Sequence, residues 1–329
     1  MQPSAPYVTA TVTEKTEDGG AAAAHAQPLE HATPLQLFLG FACIYLLWGS
    51  TYLAIRVAIN TIPPFVLGAI RFLVAGVVLY AWCRLRGAKR PTLLEWRNSA
   101  IVGALLLFVA NGAVSWAEQH VSTGMTSLLV ATVPLWLVVC ERWIGIRPTP
   151  AKLLGVAIGL VGVALLVFPA NGDLKSAAVA PLGAFVLTVS ALSWTVGSLF
   201  SRQAVLAKPA SLAISMQMLV GGSMLLILAI VTGEVGQLAA APHVSAASAL
   251  AVLYLIVFGS LVGFSTYMWL LRVASPTAVS THSYVNPVVA VLLGVFVLGE
   301  TLPPRAIVAM FVIVGSVALV SLAPRLRKR

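Results

Sequence analysis

Ten runs of about 20 predominantly apolar residues follow one another along the chain, near 37–57, 64–83, 98–117, 123–140, 151–169, 179–200, 210–232, 247–270, 276–298 and 304–322. No other feature restricts the fold as much. Lipid offers the backbone no hydrogen-bond partners, so runs of this length satisfy their own N–H and C=O groups as helices. The predicted fold class is an all-α polytopic membrane protein with ten transmembrane helices. Composition agrees, because 59% of the 329 residues are hydrophobic and 9% are charged. Soluble domains carry about 25% charged residues, and no water-soluble core could hide this much apolar surface.

The net charge of +10 could suggest nucleic acid, but its placement argues against that. Most basic residues sit in short connectors. With the amino terminus inside, the inner connectors hold Arg84, Arg86, Lys89, Arg90, Arg97, Arg142, Arg147, Lys152, Arg202, Lys208 and Arg272, and the carboxy-terminal "RLRKR" adds more. The outer face keeps Arg56, Lys175 and Arg305. The positive-inside rule places both termini in the cytoplasm, and no nucleic-acid partner is expected.

Residues 1–35 are polar and alanine-rich, and no basic segment precedes an apolar one, so they read as a disordered cytosolic tail and not a signal peptide. Residues 323–329 form a basic cytosolic tail. Cys43, Cys83 and Cys140 lie in or beside apolar runs with no disulfide or metal spacing, and read as inert thiols. No cofactor and no metal site is expected.

The chain repeats itself. "WGSTYLAIR" (48–56) matches "WTVGSLFSR" (194–202), and "RFLVAG" (71–76) matches "QMLVGG" (217–222). "VPLWLVV" (133–139) lies opposite "NPVVAVL" (286–292), and "VGVALLV" (161–167) opposite "VGSVALV" (314–320). The order is kept throughout. Residues 36–172 and 173–322 thus form two five-helix repeats. An odd number of spans turns the second repeat upside down, and inverted repeats of this kind place binding sites near the bilayer midplane.

"LLWGSTYLAIRVAI", "AIRFLVAG", "AEQHVS" and "SYVNPVVAVLLGVFVLGETL" resemble the EamA-type drug/metabolite transporter superfamily, and within it the YedA-type inner-membrane exporter branch. The resemblance covers about 35–322. It implies ten helices around a central cavity, an inner (plasma) membrane location, and export from the cytoplasm. It leaves the substrate open among amino acids, metabolites and drugs.

Helical spacing sorts the polar residues into faces. Trp48, Tyr52 and Arg56 form one stripe, and Trp194, Ser198 and Arg202 the equivalent stripe of the sixth span. These read as opposed walls of a cavity, with packing or interfacial tryptophans as the competing reading. Asn111, Ser115 and Glu118 share a face of the third span beside Trp116, and Ser260, Tyr267 and Trp269 mark the eighth. Aromatic walls with a few polar anchors suit an amphipathic solute. Trp116 and Trp269 fit an aromatic belt at the headgroups equally well.

Arg71 lies about 10 Å inside the second span, where an arginine costs on the order of 2.5–3.5 kcal/mol. It is expected to face the interior and to find carbonyls or an acid, as a structural clamp or as a counter-charge for solute. Glu118 reads either as a proton-binding or gate residue or as a solvated helix end. Glu300 reads as solvated or capping, and Glu141 as paired to arginine. The first and sixth spans contain no acid, which argues against proton exchange of the kind that the small multidrug relatives base on a first-helix glutamate.

"THSYVNPVVAVLLG" (281–294) puts His282, Ser283, Tyr284, Asn286 and Pro287 into one end of an oily span. Pro287 removes an N–H and disturbs the preceding turn, and Pro134 holds the equivalent place in the fourth span. The polar end reads as cavity wall and hinge, with a packing kink as the alternative. "GVAIGLVG" (155–162) allows close helix packing, inside a monomer in preference to a homodimer. No GxxxxGK[ST] loop occurs. The expected partners are the bilayer and a small organic solute, and the expected activity is secondary transport. A membrane-embedded enzyme would require clustered ionisable groups, and a non-exporting permease or pore is the further alternative.

Overall fold

A computed structural model describes residues 32–143, 145, 147–168, 179–240, 243–274, 276–279 and 281–326. Most of the 1–35 tail, part of the 323–329 tail and Lys175 lie outside the described residues. Every regular element among the described residues is helical. The long helices are α1 (Pro34–Ala58), α2 (Pro64–Leu85), α3 (Leu93–Ala117), α4 (Thr123–Trp143), α5 (Pro150–Val167), α6 (Pro181–Gln203), α7 (Ala210–Val231), α8 (Ala246–Leu270), α9 (His282–Leu298) and α10 (Pro304–Leu326). Among the described residues nine are long and apolar enough to cross a membrane, and α9 is a shorter apolar helix. Large apolar side chains such as Leu46, Phe185, Phe296 and Phe311 point outward. Water would penalise such a surface and lipid does not.

Local chemistry sets the helix starts. Thr33 and Gln36 cap α1 reciprocally, at 2.9 and 3.2 Å, and Thr92 and Glu95 do the same for α3, at 2.7 and 3.3 Å. Proline opens α1, α2, α5 and α6, where its missing N–H costs nothing. Gly299, at φ 67°, ends α9.

The main packing pairs are α2 with α7, α5 with α10, α4 with α9, α1 with α8 and α9, α6 with α3 and α4, α3 with α7, and α2 with α8. The α2–α7 contact is backbone-close. A Cβ on Gly76 would lie 3.0 Å from Leu219 N, and one on Gly222 would lie 2.9 Å from Leu73 N. The glycine-spaced face of α5 is taken up inside the chain, since Cβ atoms at Gly155 and Gly162 would sit 2.6 Å from Val320 Cγ2 and Ile313 Cγ1 of α10.

Three helices depart from regularity. α3 widens into a π-helical stretch over Ala104–Asn111, and α8 does so over Leu255–Val262. α4 breaks at Ala131 and Thr132, so that Pro134 is the second residue of its second piece, Val133–Trp143. α9 starts later than the expected residue 276, after a separate short helix, Pro276–Val279. The polar side chains account for this: Thr281 Oγ1 donates to Ala278 O at 2.5 Å, and His282 Nδ1 lies 2.9 Å from Val279 O. They engage carbonyls that a continuous helix would have used itself. Pro287 sits within the continuous α9.

Two expectations need correction. Glu141 pairs with Lys152 at 3.4 Å, not with an arginine, because Lys152 stands in the first turn of α5 just across the connector. Glu118 is not a solvated helix end: it is fully buried.

Candidate functional site: a cavity between α1, α2, α3, α4, α6, α8 and α9

A cavity opens between the helices where these irregularities concentrate. Its wall includes Trp48, Thr51 and Tyr52 of α1, Arg71 of α2, Asn111 of α3, Ser127 of α4, Ser190 and Trp194 of α6, Phe264 of α8, and His282, Ser283, Asn286 and Pro287 at the start of α9. The space open to the centre of a water-sized sphere is about 150 Å³, against roughly 10–15 Å³ for a single water. A small organic solute fits.

Trp48 is the hub of the aromatic wall. Its ring centroid lies 5.4 Å from Phe264 in edge contact, 5.1 Å from Tyr267 and 5.2 Å from His282, and Tyr267 and His282 are 5.9 Å apart. Such tilted and edge arrangements suit aromatic quadrupoles. A Cβ on Gly263 would lie 2.6 Å from Trp48 Nε1, so glycine leaves the indole its space.

Two polar groups stand out. Arg71 is 6% exposed, and its Nε donates to Ser260 Oγ at 3.0 Å. Its guanidinium also lies 4.9 Å from the Phe72 ring centroid. Sequence reasoning expected carbonyls or an acid; the partner is a hydroxyl in the π stretch of α8, and no ion pair to Arg71 occurs among the described residues. Asn286 is 8% exposed and its Oδ1 has no hydrogen-bond partner. A buried amide oxygen left unpaired is costly, and this one belongs to a residue of the cavity wall.

The π stretch of α3 explains part of the wall. Wide turns misalign backbone carbonyls, and side chains collect them. Asn111 Nδ2 donates to Leu106 O at 2.7 Å, Ser193 Oγ to Leu105 O at 2.7 Å, and Ser190 Oγ to Ala110 O at 2.9 Å.

Of the residues singled out in the sequence, Trp48, Tyr52, Arg71, Asn111, Trp194, His282, Asn286 and Pro287 border one cavity. Tyr267 stands behind Trp48 and His282. Trp116 lies on His120, 4.8 Å between centroids. Ser198 accepts from Ser201 Oγ through its carbonyl at 2.9 Å, and Tyr284 packs against the main core. Thr51, Ser190 and Phe264 were not singled out. Ser190 could have been found, because Ser190 and Trp194 share one face of α6 at i and i+4. Glu118 lies outside the wall. Among the described residues no group of three or more His, Cys, Asp or Glu could hold a metal ion, and the three cysteines are free.

The EamA-like transporter family matches the chain twice, at residues 36–168 and 181–322. The chain is 40% identical over 289 residues to the uncharacterized inner membrane transporter YedA of Escherichia coli (strain K12), covering 88% of this chain and 91% of that protein. It is 27% identical over 275 residues to a probable terminal-alkyne amino-acid exporter of Streptantibioticus cattleyicolor, covering 83% of this chain and 89% of the relative. A solved crystal structure shares the fold with a TM-score of 0.59 at 22% identity, covering 89% of this chain and 100% of that one.

Proposed function

Since the chain belongs to the EamA-like transporter family, we propose that this membrane transporter is a secondary exporter of small organic solutes, working by alternating access around the cavity just described. The observation that carries the substrate side of this reading is that Arg71 and Asn286, whose buried Oδ1 has no hydrogen-bond partner, line the same cavity from α2 and α9. A guanidinium suits a carboxylate, and an amide oxygen accepts from an ammonium or amide donor. Trp48, Trp194 and Phe264 supply apolar surface for the rest of the molecule. Amino acids and similar amphipathic metabolites are therefore the leading solutes, ahead of cationic drugs. The relative described as a probable amino-acid exporter agrees with that order.

The packing pairs support two inverted five-helix halves. Adding or subtracting five maps α1–α9 onto α6–α4, α1–α8 onto α6–α3, and α3–α7 onto α8–α2, and it maps α2–α7 and α5–α10 onto themselves. Gly76 against Leu219 and Gly222 against Leu73 repeat one contact at an offset of 146 residues. The π stretches fall in α3 and α8, which correspond under the same mapping. In this reading the halves rock about α2 and α7, with Pro134 and Pro287 as hinge points near the cavity. Both termini face the cytoplasm of the inner membrane, and a monomer suffices.

Cells overexpressing the protein, preloaded with a labelled panel of amino acids and cationic drugs, test the reading. Faster efflux of carboxylate-bearing solutes than from control cells is expected. Equal efflux of the whole panel would overturn it.

A further inference from the structure

Outside the cavity, at the end of the bundle where α3 turns into α4, lies a second group of buried polar atoms. Glu118 follows the last residue of α3 and is 0% exposed, and neither of its carboxylate oxygens has a hydrogen-bond partner. Thr123 and Thr126, one turn apart on α4, are also 0% exposed with unpartnered hydroxyls. Glu300 reaches in from beyond α9 and accepts from the amides of Thr123 and Gly124 at 2.7 and 3.2 Å. Its carboxylate is thus committed to the start of α4, where the helix dipole favours negative charge.

Arg56 of α1 is the cation at this end. It donates to the backbone carbonyl of Glu118, and no ion pair joins it to either carboxylate among the described residues. Tyr52, one turn earlier on α1, borders the cavity. The charged groups near Glu118 are Arg56 from α1 and Glu300 from the α9–α10 connection, and Tyr52 stands one turn from Arg56 on α1.

A fully buried carboxylate without hydrogen bonds is too costly to keep ionised. Glu118 lies one residue beyond α3, and burial pushes its carboxyl well above the usual carboxylate range; Arg56 pulls it back and Glu300 pushes it further up.

We propose that Glu118 is a proton-binding site, separate from the solute cavity, that loads when Arg56 is held on the Glu118 backbone carbonyl and unloads when Arg56 turns onto the carboxylate. On unloading the carboxyl O–H bond breaks, the proton goes to water, and the guanidinium stabilises the anion that remains. Because Tyr52 borders the cavity one turn before Arg56 on α1, the step would couple a proton to solute movement. The coupling role rests on the transporter reading; the proton site itself does not.

The test is infrared difference spectroscopy of the full chain in lipid, without solute, following the protonated-carboxyl stretch from acid to alkaline pH in potassium buffer with and without sodium. One such band is expected to persist at neutral pH, to vanish on alkalinisation, and to be independent of sodium. Glu118→Gln should abolish it, Glu141→Gln should leave it, and Glu118→Asp should keep it at a shifted frequency, which assigns the band even if the Gln variant folds poorly. Absence of the band at neutral pH, its survival in Glu118→Gln, an unshifted band in Glu118→Asp, or its displacement by sodium would overturn the proposal. If the band fails while solute efflux persists, only the proton site is lost. If the band behaves as expected in a protein that moves no solute, the transporter reading is what fails.

Discussion

Arg71 Nε and Ser260 Oγ are 3.0 Å apart, and this bond ties the middle of α2 to the π stretch of α8 at the cavity wall. The desolvation cost of the guanidinium is thereby met partly by a neutral hydroxyl, so much of its charge is left for an anionic partner. Arg71→Ala should lower transport of carboxylate-bearing solutes about tenfold or more, since hydrogen bonds to charged groups contribute about 1.5–3 kcal/mol. Arg71→Lys should recover part of this, because an ammonium keeps the charge but lacks the planar fork. Initial rates for paired solutes with and without a carboxylate check the prediction: equal losses for both would make Arg71 a clamp and not a counter-charge.

The contact of Gly222 with Leu73 predicts a sharp size limit. A Cβ there would lie 2.9 Å from a backbone nitrogen, which cannot give way as a side-chain tip can. Gly222→Val should cost about 1–3 kcal/mol or more through overpacking, read as a lower unfolding temperature in detergent. Gly315→Ala, where a Cβ meets nothing within 4 Å, should be neutral or slightly stabilising.

Glu300 and Glu234 perform the same task at two helix starts. Glu300 holds the Thr123 and Gly124 amides, and Glu234 holds those of Phe65 and Val66 at 2.9 and 3.1 Å. Either carboxylate replaced by alanine leaves two helix N–H groups unpaired, at about 1–3 kcal/mol each. Thermal unfolding should show both losses, with Gln in place of Glu intermediate.

Stability should also depend on pH through Glu118. Its folded carboxyl is raised above the unfolded value of about 4.3, so the folded chain binds the proton more tightly. The resulting stabilisation is complete below the unfolded value and is lost as pH rises through the folded one. Unfolding temperatures measured across that window should decline for the unaltered chain more than for Glu118→Gln. Parallel curves would mean that Glu118 does not titrate differently on folding.

The span positions were largely legible in the sequence because lipid thickness and 1.5 Å per residue leave little freedom; the run 210–232 became Ala210–Val231. The stripe Trp48–Tyr52 was legible because a helix repeats every 3.6 residues. The π stretches were not, since nothing within "ALLLFVAN" announces them, and carbonyl capture by Ser190 and Ser193 comes from a helix some 80 residues away. Nor was the burial of Glu118, since a helix-end carboxylate looks the same in sequence whether it is solvated or enclosed. The late start of α9 follows from Thr281 and His282 turning back onto carbonyls, a choice of partner that hydropathy does not encode.

The central claim is that solute occupies the Arg71–Asn286 cavity. Its most direct test is counterflow of a labelled zwitterionic amino acid into proteoliposomes preloaded with the same unlabelled compound, at matched protein content, for the unaltered chain, Trp48→Ala and Asn286→Ala. The account predicts accumulation by the unaltered chain and a loss of about tenfold or more in both variants, consistent with the cost of losing a buried aromatic contact or polar anchor. Undiminished counterflow in both variants would place the solute elsewhere and contradict it.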